Sequence, residues 1–119
     1  MNLDAFQQLP LRGGFLLLRV TMTSEPMVDA MGRLALAKTS IVGSTLEIEL
    51  GCSVPDPNEI SISLYHEVLE AAAVAGARAP HAVCELNEAG FEAAARECHH
   101  RLGMVTPAKL NQMLEEFGF

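Results

Sequence analysis

The sequence is poor in positive charge and in aromatic residues. Its 119 residues include eight Lys or Arg against fifteen Asp or Glu, with no Trp and one Tyr. The resulting net charge of −7 disfavours nucleic acid as a partner, because phosphate binding requires a basic face. It equally disfavours an anionic membrane surface. With so few aromatic residues, the core must consist of Leu, Val, Ile, Ala and Met.

Targeting and membrane signals are also missing from the sequence. No apolar run approaches the ~20 residues of a membrane span, and residues 1–10 lack the basic and apolar regions of a signal peptide. The three cysteines, Cys52, Cys84 and Cys98, are odd in number and form no Cys-x-x-Cys pair. We therefore expect reduced thiols in a cytoplasmic protein.

Half of the residues are apolar, which predicts one folded domain spanning residues 1–119. Apolar periodicity and turn residues predict the individual elements. Strands are predicted at 15–23 and 45–50, and helices at 25–38, 57–75, 88–102 and from Thr106 onward. The predicted fold is α+β, with a sheet of two or three strands packed by four main helices.

The longest helix is predicted at residues 57–75. Asp56 is a favourable N-cap, Pro57 suits the first helical position, and Glu59 completes a capping-box pattern. Apolar residues then recur at every fourth position (Ile60, Leu64, Val68 and Ala72). Residues 59–64 also alternate with a period of two, which is typical of a strand, but the capping signals favour the helix.

Three polar residues of this helix carry the chemistry that the sequence offers. His66 and Glu70 are four residues apart, so their side chains project from one helix face with Cβ atoms about 5–6 Å apart. A zinc ion accepts both imidazole nitrogen and carboxylate oxygen, and the intervening Glu67 could take a proton from water. An ordinary polar helix surface is the alternative interpretation, since these residues fall roughly opposite the apolar stripe. Flanking apolar residues such as Leu69 indicate a largely covered helix, in which buried polar groups need partners.

Residues 41–76 resemble the zincin metallopeptidases, above all the small ones built on a short sheet and an active-site helix. The resemblance rests on Asp56-Pro57-x-Glu59, then on Leu64-Tyr65-His66-Glu67-Val68-Leu69 running into small residues. It implies a zinc ion, Glu67 as the general base for amide hydrolysis, and an edge strand at 45–50 that holds a peptide. The chain departs from the family at Glu70, where the second histidine belongs. The added negative charge would make a bound metal a weaker Lewis acid.

A third metal ligand must come from another part of the chain. His99, in the run Cys98-His99-His100, is the first candidate because it flanks the apolar face of its predicted helix. One branch of the zincins takes this ligand from a downstream glutamate, which leaves Glu85, Glu88 and Glu92 as alternatives. A separate zinc site built from His81-x-x-Cys84 and Cys98-His99 is a further arrangement to weigh.

Two functions follow from the sequence. The first is a zincin-like domain that binds a divalent metal, expected to be zinc, through His66, Glu70 and His99 or a downstream glutamate, with Glu67 as the catalytic residue. The second is a non-enzymatic interaction protein on the same scaffold, whose C-terminal helix and Phe119 dock a protein or a second copy of the chain. A peptide or protein partner fits both functions.

Overall fold

The N-terminal half of the chain forms strands and the C-terminal half forms helices. A computed structural model describes residues 2–23, 27–28, 34–35, 37–51, 56–76 and 79–119. The strands are β1 (Leu9–Leu11), β2 (Phe15–Thr23), β3 (Met27–Val28), β4 (Leu34–Ala35), β5 (Ala37–Val42) and β6 (Thr45–Gly51). The helices are α1 (Pro57–Ala75), α2 (His81–Cys84), α3 (Glu88–Leu102) and α4 (Pro107–Glu116). The chain is therefore an α+β protein.

The main sheet has the strand order β1-β2-β6-β5. Its two inner strands, β2 and β6, run parallel, and each outer strand runs antiparallel to its neighbour. Leu46, Ile48 and Leu50 of β6 are buried in the core, because alternate residues of a strand face the same side of the sheet. However, β6 lies inside the sheet and β5 lies at its edge, so the expectation that residues 45–50 form the edge strand is wrong.

The predicted sheet of two or three strands with four main helices is also wrong. The main sheet has four strands, and in the described part of the chain α1, α3 and α4 are the main helices, since α2 has four residues. The error lies in the helix predicted at 25–38. Its described residues pair instead as β3 with β4 and as β5 with β6; residues 24–26, 29–33 and 36 lie outside the described part.

Two physical reasons account for these differences. The β-branched residues Thr39, Ile41 and Val42 favour a strand, and pairing along the full length of β6 outweighs the helical spacing of the preceding apolar residues. Strand β1 was not predicted because it is short and contains Pro10. Proline is tolerated there because β1 is an outer strand of the sheet.

Helix α1 lies at the centre of the molecule. The side chain of Asp56 accepts a hydrogen bond from the Asn58 amide at 2.9 Å, and the helix ends at Gly76. The predicted bounds of 57–75 are confirmed, and the alternative strand at 59–64 is wrong. One side of α1 packs against α3 and another against β5 and β6. Because both sides are covered, α1 buries polar as well as apolar residues.

The two C-terminal helices begin at the predicted caps. Asn87 accepts a hydrogen bond from the Gly90 amide, and Thr106 accepts one from the Lys109 amide. Behind α4 the chain folds back, and the ring of Phe119 packs edge-on against Phe15 with 6.1 Å between ring centroids. Of the helices in the described ranges, none has the length and apolar character needed to cross a bilayer.

Burial on α1 predicts a sharp contrast between two valines. Val68 is fully buried, whereas Val74 is 68% exposed. We expect Val68→Ala to lower the free energy of unfolding by about 2 kcal/mol through lost burial and a residual cavity. Val74→Ala makes the same chemical change on the same helix and should be neutral or slightly stabilising, because alanine has the higher helix propensity. Urea unfolding measures both; equal losses would contradict the assigned packing.

Candidate metal site

The site is built around the buried imidazole of His66 in the middle of α1. His66 is 6% exposed, and its ring lies 6.3 Å from the ring of Phe91 on α3, measured between centroids. The interpretation of His66 as an exposed surface residue is therefore wrong. A buried imidazole must find hydrogen-bond partners inside the protein, because burying an unpaired polar group is costly.

Glu70 and Glu92 supply those hydrogen-bond partners, and a third carboxylate, Glu88, makes an ion-pair contact with the same ring. The Nε2 atom of His66 lies 2.9 Å from Oε2 of Glu70 and 2.9 Å from Oε1 of Glu88. The Nδ1 atom lies 2.6 Å from Oε2 of Glu92. Glu70 is one helical turn beyond His66 on α1, and Glu88 and Glu92 are one turn apart on α3. Two helices therefore direct their carboxylates at one ring.

A fourth carboxylate connects the site to the sheet. The hydroxyl of Thr39 on β5 donates a hydrogen bond to Oε2 of Glu67 at 2.7 Å. His66, Glu67 and Glu70 each offer one ligand atom within 4.8 Å of the others, an arrangement that could hold a metal ion. The side chain of Glu88, at the first turn of α3, is 74% exposed, so the site is open to solvent on that side.

The electrostatics of the site reflect burial and crowded negative charge. Burial alone would lower the pKa of His66, but the hydrogen bond to Glu92 and the charges of Glu67 and Glu88 outweigh burial and raise this pKa above 6.5. Burial raises the pKa of Glu67 above 4.5, against the opposing effect of the Thr39 hydrogen bond. Burial, followed by the charges of Glu88 and Glu67, raises the pKa of Glu70. Each shift reduces the negative charge that the cluster must hold.

One cation contacts this cluster in the described part of the chain. Arg96 of α3 places its Nε atom 3.0 Å from Oε1 of Glu92. Four carboxyl groups then face one imidazole and one guanidinium, so acidic groups outnumber basic ones in the cluster. A divalent cation between the helices would neutralise that excess.

Comparison with known proteins adds no assignment. No protein-family model, curated protein sequence or solved structure matches this chain. The chemistry of the site therefore rests on its own geometry.

The structure does not bring His99 to His66. The Nδ1 atom of His99 lies 2.8 Å from the hydroxyl of Ser61, about one and a half helical turns before His66 on α1. That hydroxyl also accepts a hydrogen bond from the Val105 amide, which ties the α3–α4 connection to α1. The glutamates left open as alternatives, Glu88 and Glu92, occupy the position expected for His99.

The residues of the second zinc arrangement also lie apart from this cluster. His81 is exposed on α2, and the thiol of Cys84 donates a hydrogen bond to the carbonyl of Ala79. Cys98 is 2% exposed and belongs to the hydrophobic core. Within the described residues, the three-residue group whose ligand atoms all lie within 4.8 Å of one another is His66, Glu67 and Glu70, and Glu88 reaches the same imidazole at 2.9 Å. Glu85 is exposed at the end of α2 and has no described contact with that group.

The raised pKa values predict that the metal-free protein loses stability as pH rises. A group whose pKa is raised by folding binds more protons in the folded state, so the free energy of unfolding falls with increasing pH. The contribution of Glu67 and Glu70 begins to fall above pH 4.5. The contribution of His66 to the free energy of unfolding is fully present below pH 6.5. It is lost as the pH rises through the higher pKa that His66 has in the folded state. Urea unfolding at a series of pH values, with a chelator present, measures the slope.

The variant His66→Gln should remove the upper part of this pH dependence. His100→Gln, which replaces an exposed histidine on α3, controls for the general loss of an imidazole. A profile above pH 6.5 that is identical in these two variants would contradict the assigned environment of His66.

Proposed function

We propose that this chain binds a divalent metal ion between α1 and α3, with His66, Glu70 and Glu88 as ligands. The observation that carries the proposal is the convergence of both glutamates on one atom, Nε2 of His66, each at 2.9 Å. These carboxylates belong to different helices, so their meeting point is created by the fold. Glu92 at Nδ1 then serves as the outer partner that orients a metal-binding imidazole.

The donor atoms fit such an ion. Imidazole nitrogen and carboxylate oxygen are accepted by zinc, which is the ion that the zincin resemblance implies. A set with one nitrogen and several carboxylate oxygens also suits Mn²⁺ and similar ions that prefer oxygen. Burial first, and the neighbouring carboxylates second, raise the pKa values of Glu67 and Glu70, and a cation beside these groups would favour their ionised forms.

We further propose that the site hydrolyses an amide bond. A bound divalent ion would act as a Lewis acid toward a carbonyl group or water. Glu67 supplies the general base: it lies beside His66 and is held by the hydroxyl of Thr39. Its raised pKa suits proton transfer near neutral pH better than that of an exposed carboxylate.

A peptide substrate would pair with β5 rather than with β6. Strand β5 lies at the edge of the sheet, and its Thr39 contacts Glu67 directly. An extended peptide can add to such an edge through backbone hydrogen bonds. With β5 in place of β6, an edge strand still adjoins the active-site helix, as the zincin resemblance implies.

The alternative of a docking protein has less support from the C-terminal segment. The ring of Phe119 is half-buried against Phe15, and the Phe119 amide donates a hydrogen bond to the carbonyl of Leu114. The terminal aromatic residue is thus used within the fold.

Cys84 and Cys98 are free thiols, which supports a reducing, cytoplasmic compartment; Cys52 lies outside the described residues.

Metal content tests the first part of the proposal. The chain purified without a histidine tag should retain a stoichiometric divalent metal, measured by inductively coupled plasma mass spectrometry. His66→Ala should abolish retention, and Glu88→Gln should weaken binding because it removes a charged ligand. Glu97→Gln changes an exposed glutamate on the same helix and should bind as the native chain does. A native chain that takes up no zinc or manganese would refute the metal site.

Replacement of Glu67 tests the second part. Glu67→Gln should retain the metal but lower peptide cleavage by about 10²–10⁴-fold, the range expected for loss of a general base. Cleavage is measured by mass spectrometry on a mixed peptide library with the metal-loaded protein. Unchanged turnover in Glu67→Gln would exclude Glu67 as the base, and a metal-loaded native chain that cleaves no peptide would refute hydrolysis alone.

A further inference from the structure

Arg96 joins the candidate site to the start of α1. Its Nε atom lies 3.0 Å from Oε1 of Glu92, one turn earlier on α3. Its NH1 and NH2 atoms each lie 3.3 Å from a carboxylate oxygen of Glu59 on α1. The Nε atom of the guanidinium therefore contacts Glu92, and its two terminal nitrogens contact Glu59 on the neighbouring helix.

Glu92 is bound on both of its oxygens as a result. Oε1 faces Arg96, while Oε2 lies 2.6 Å from Nδ1 of His66. A glutamate has three rotatable side-chain bonds, and this one is 40% exposed, so without Arg96 its carboxylate would be free to turn toward solvent. The contact between Glu92 and the His66 ring therefore depends on Arg96, which holds the Glu92 carboxylate in place.

We propose that Arg96 is a positioning residue that holds Glu92 against Nδ1 of His66 and thereby leaves Nε2 as the nitrogen that can bind a cation beside Glu70 and Glu88. The effect on the metal rests on the proposed function, whereas the effect on the ring does not. A neutral imidazole carries one proton, and the acceptor at the opposite nitrogen decides where that proton lies. With Glu92 fixed at Nδ1, the proton stays there and Nε2 is ready to bind a cation.

The competition between the two nitrogens makes this anchor necessary. Two carboxylates face Nε2 at 2.9 Å, and one faces Nδ1 at 2.6 Å. If Glu92 moved away, the two remaining acceptors would draw the proton to Nε2, the nitrogen that must be free of it to ligate. The shorter contact at Nδ1 has the geometry of a strong charge-assisted hydrogen bond, and Arg96 maintains it.

A second arginine on the same helix provides the control. Arg101 forms a forked pair with Glu116 at 3.0 and 2.7 Å, and the side chains of Arg96 and Arg101 are 52% and 44% exposed. Exposed pairs of this kind contribute little to stability, so neither Arg96→Gln nor Arg101→Gln should unfold the protein. Both variants remove an arginine with a forked carboxylate partner, but Arg96 alone of the two contacts Glu92.

The experiment measures the tautomer of His66 and the affinity for zinc. In the metal-free protein at alkaline pH, the nitrogen-15 chemical shifts of the His66 ring should place the proton on Nδ1 in the native chain and in Arg101→Gln. In Arg96→Gln the proton should move substantially to Nε2. Competition with a chromophoric chelator should show zinc binding weaker by roughly tenfold in Arg96→Gln, the lower end of the effect of losing an outer partner.

The outcomes separate this inference from the metal proposal. If Arg96→Gln matches Arg101→Gln in its ring shifts and zinc affinity, the positioning role is refuted even though zinc binds. If the native chain binds no zinc, the metal proposal fails, and the ring shifts still decide the role of Arg96. Glu59→Gln leaves Arg96 in place without its partner on α1, so the proton of the His66 ring should move to Nε2 to a smaller extent than in Arg96→Gln. Nitrogen-15 chemical shifts that equal those of the native chain in both variants would refute the positioning role of Arg96.

Discussion

The arrangement of this protein depends on one buried imidazole. His66 lies against α3 in the middle of α1, and both nitrogens of its buried ring require hydrogen-bond partners from the protein. The partners are carboxylates, which would repel one another without a positive charge between them. The site therefore combines a buried polar group that the fold must satisfy with an excess of negative charge that favours a cation. That combination is the basis of the proposed metal site.

Three elements meet at this imidazole, and each contributes something different. Helix α1 supplies the ring, Glu67 and Glu70; α3 supplies Glu88 and Glu92, and through Arg96 it fixes one of them. The sheet contributes Thr39 from β5, which holds Glu67. Strand β5 is also an outer strand of the sheet. The element that holds Glu67 through a hydrogen bond is therefore the one that has a free edge.

The helices could be predicted well because their signals are local. Asp56 with Pro57, Asn87 and Thr106 each cap a helix within a few residues, and each of those helices begins where its cap predicts. The strands were predicted less well. Residues 25–38 have apolar positions at helical spacing, yet the described ones pair as strands, because pairing with the next strand along the chain outweighs a weak local preference for helix. The position of residues 45–50 inside the sheet likewise depends on partners that local sequence does not reveal.

The same division between local signals and long-range contacts applies to the candidate metal site. The sequence by itself determined that His66, Glu67 and Glu70 share a helix and lie close together, because a spacing of one turn fixes the geometry of neighbours on an α-helix. It also identified Glu88 and Glu92 as alternatives but could not choose them over His99. Only the tertiary structure shows that Glu88 and Glu92 lie beside His66 and that His99 does not. The antiparallel packing of α1 and α3 sets Ser61 opposite His99 and His66 opposite Glu92, and the register of two packed helices follows from the whole interface rather than from any short motif.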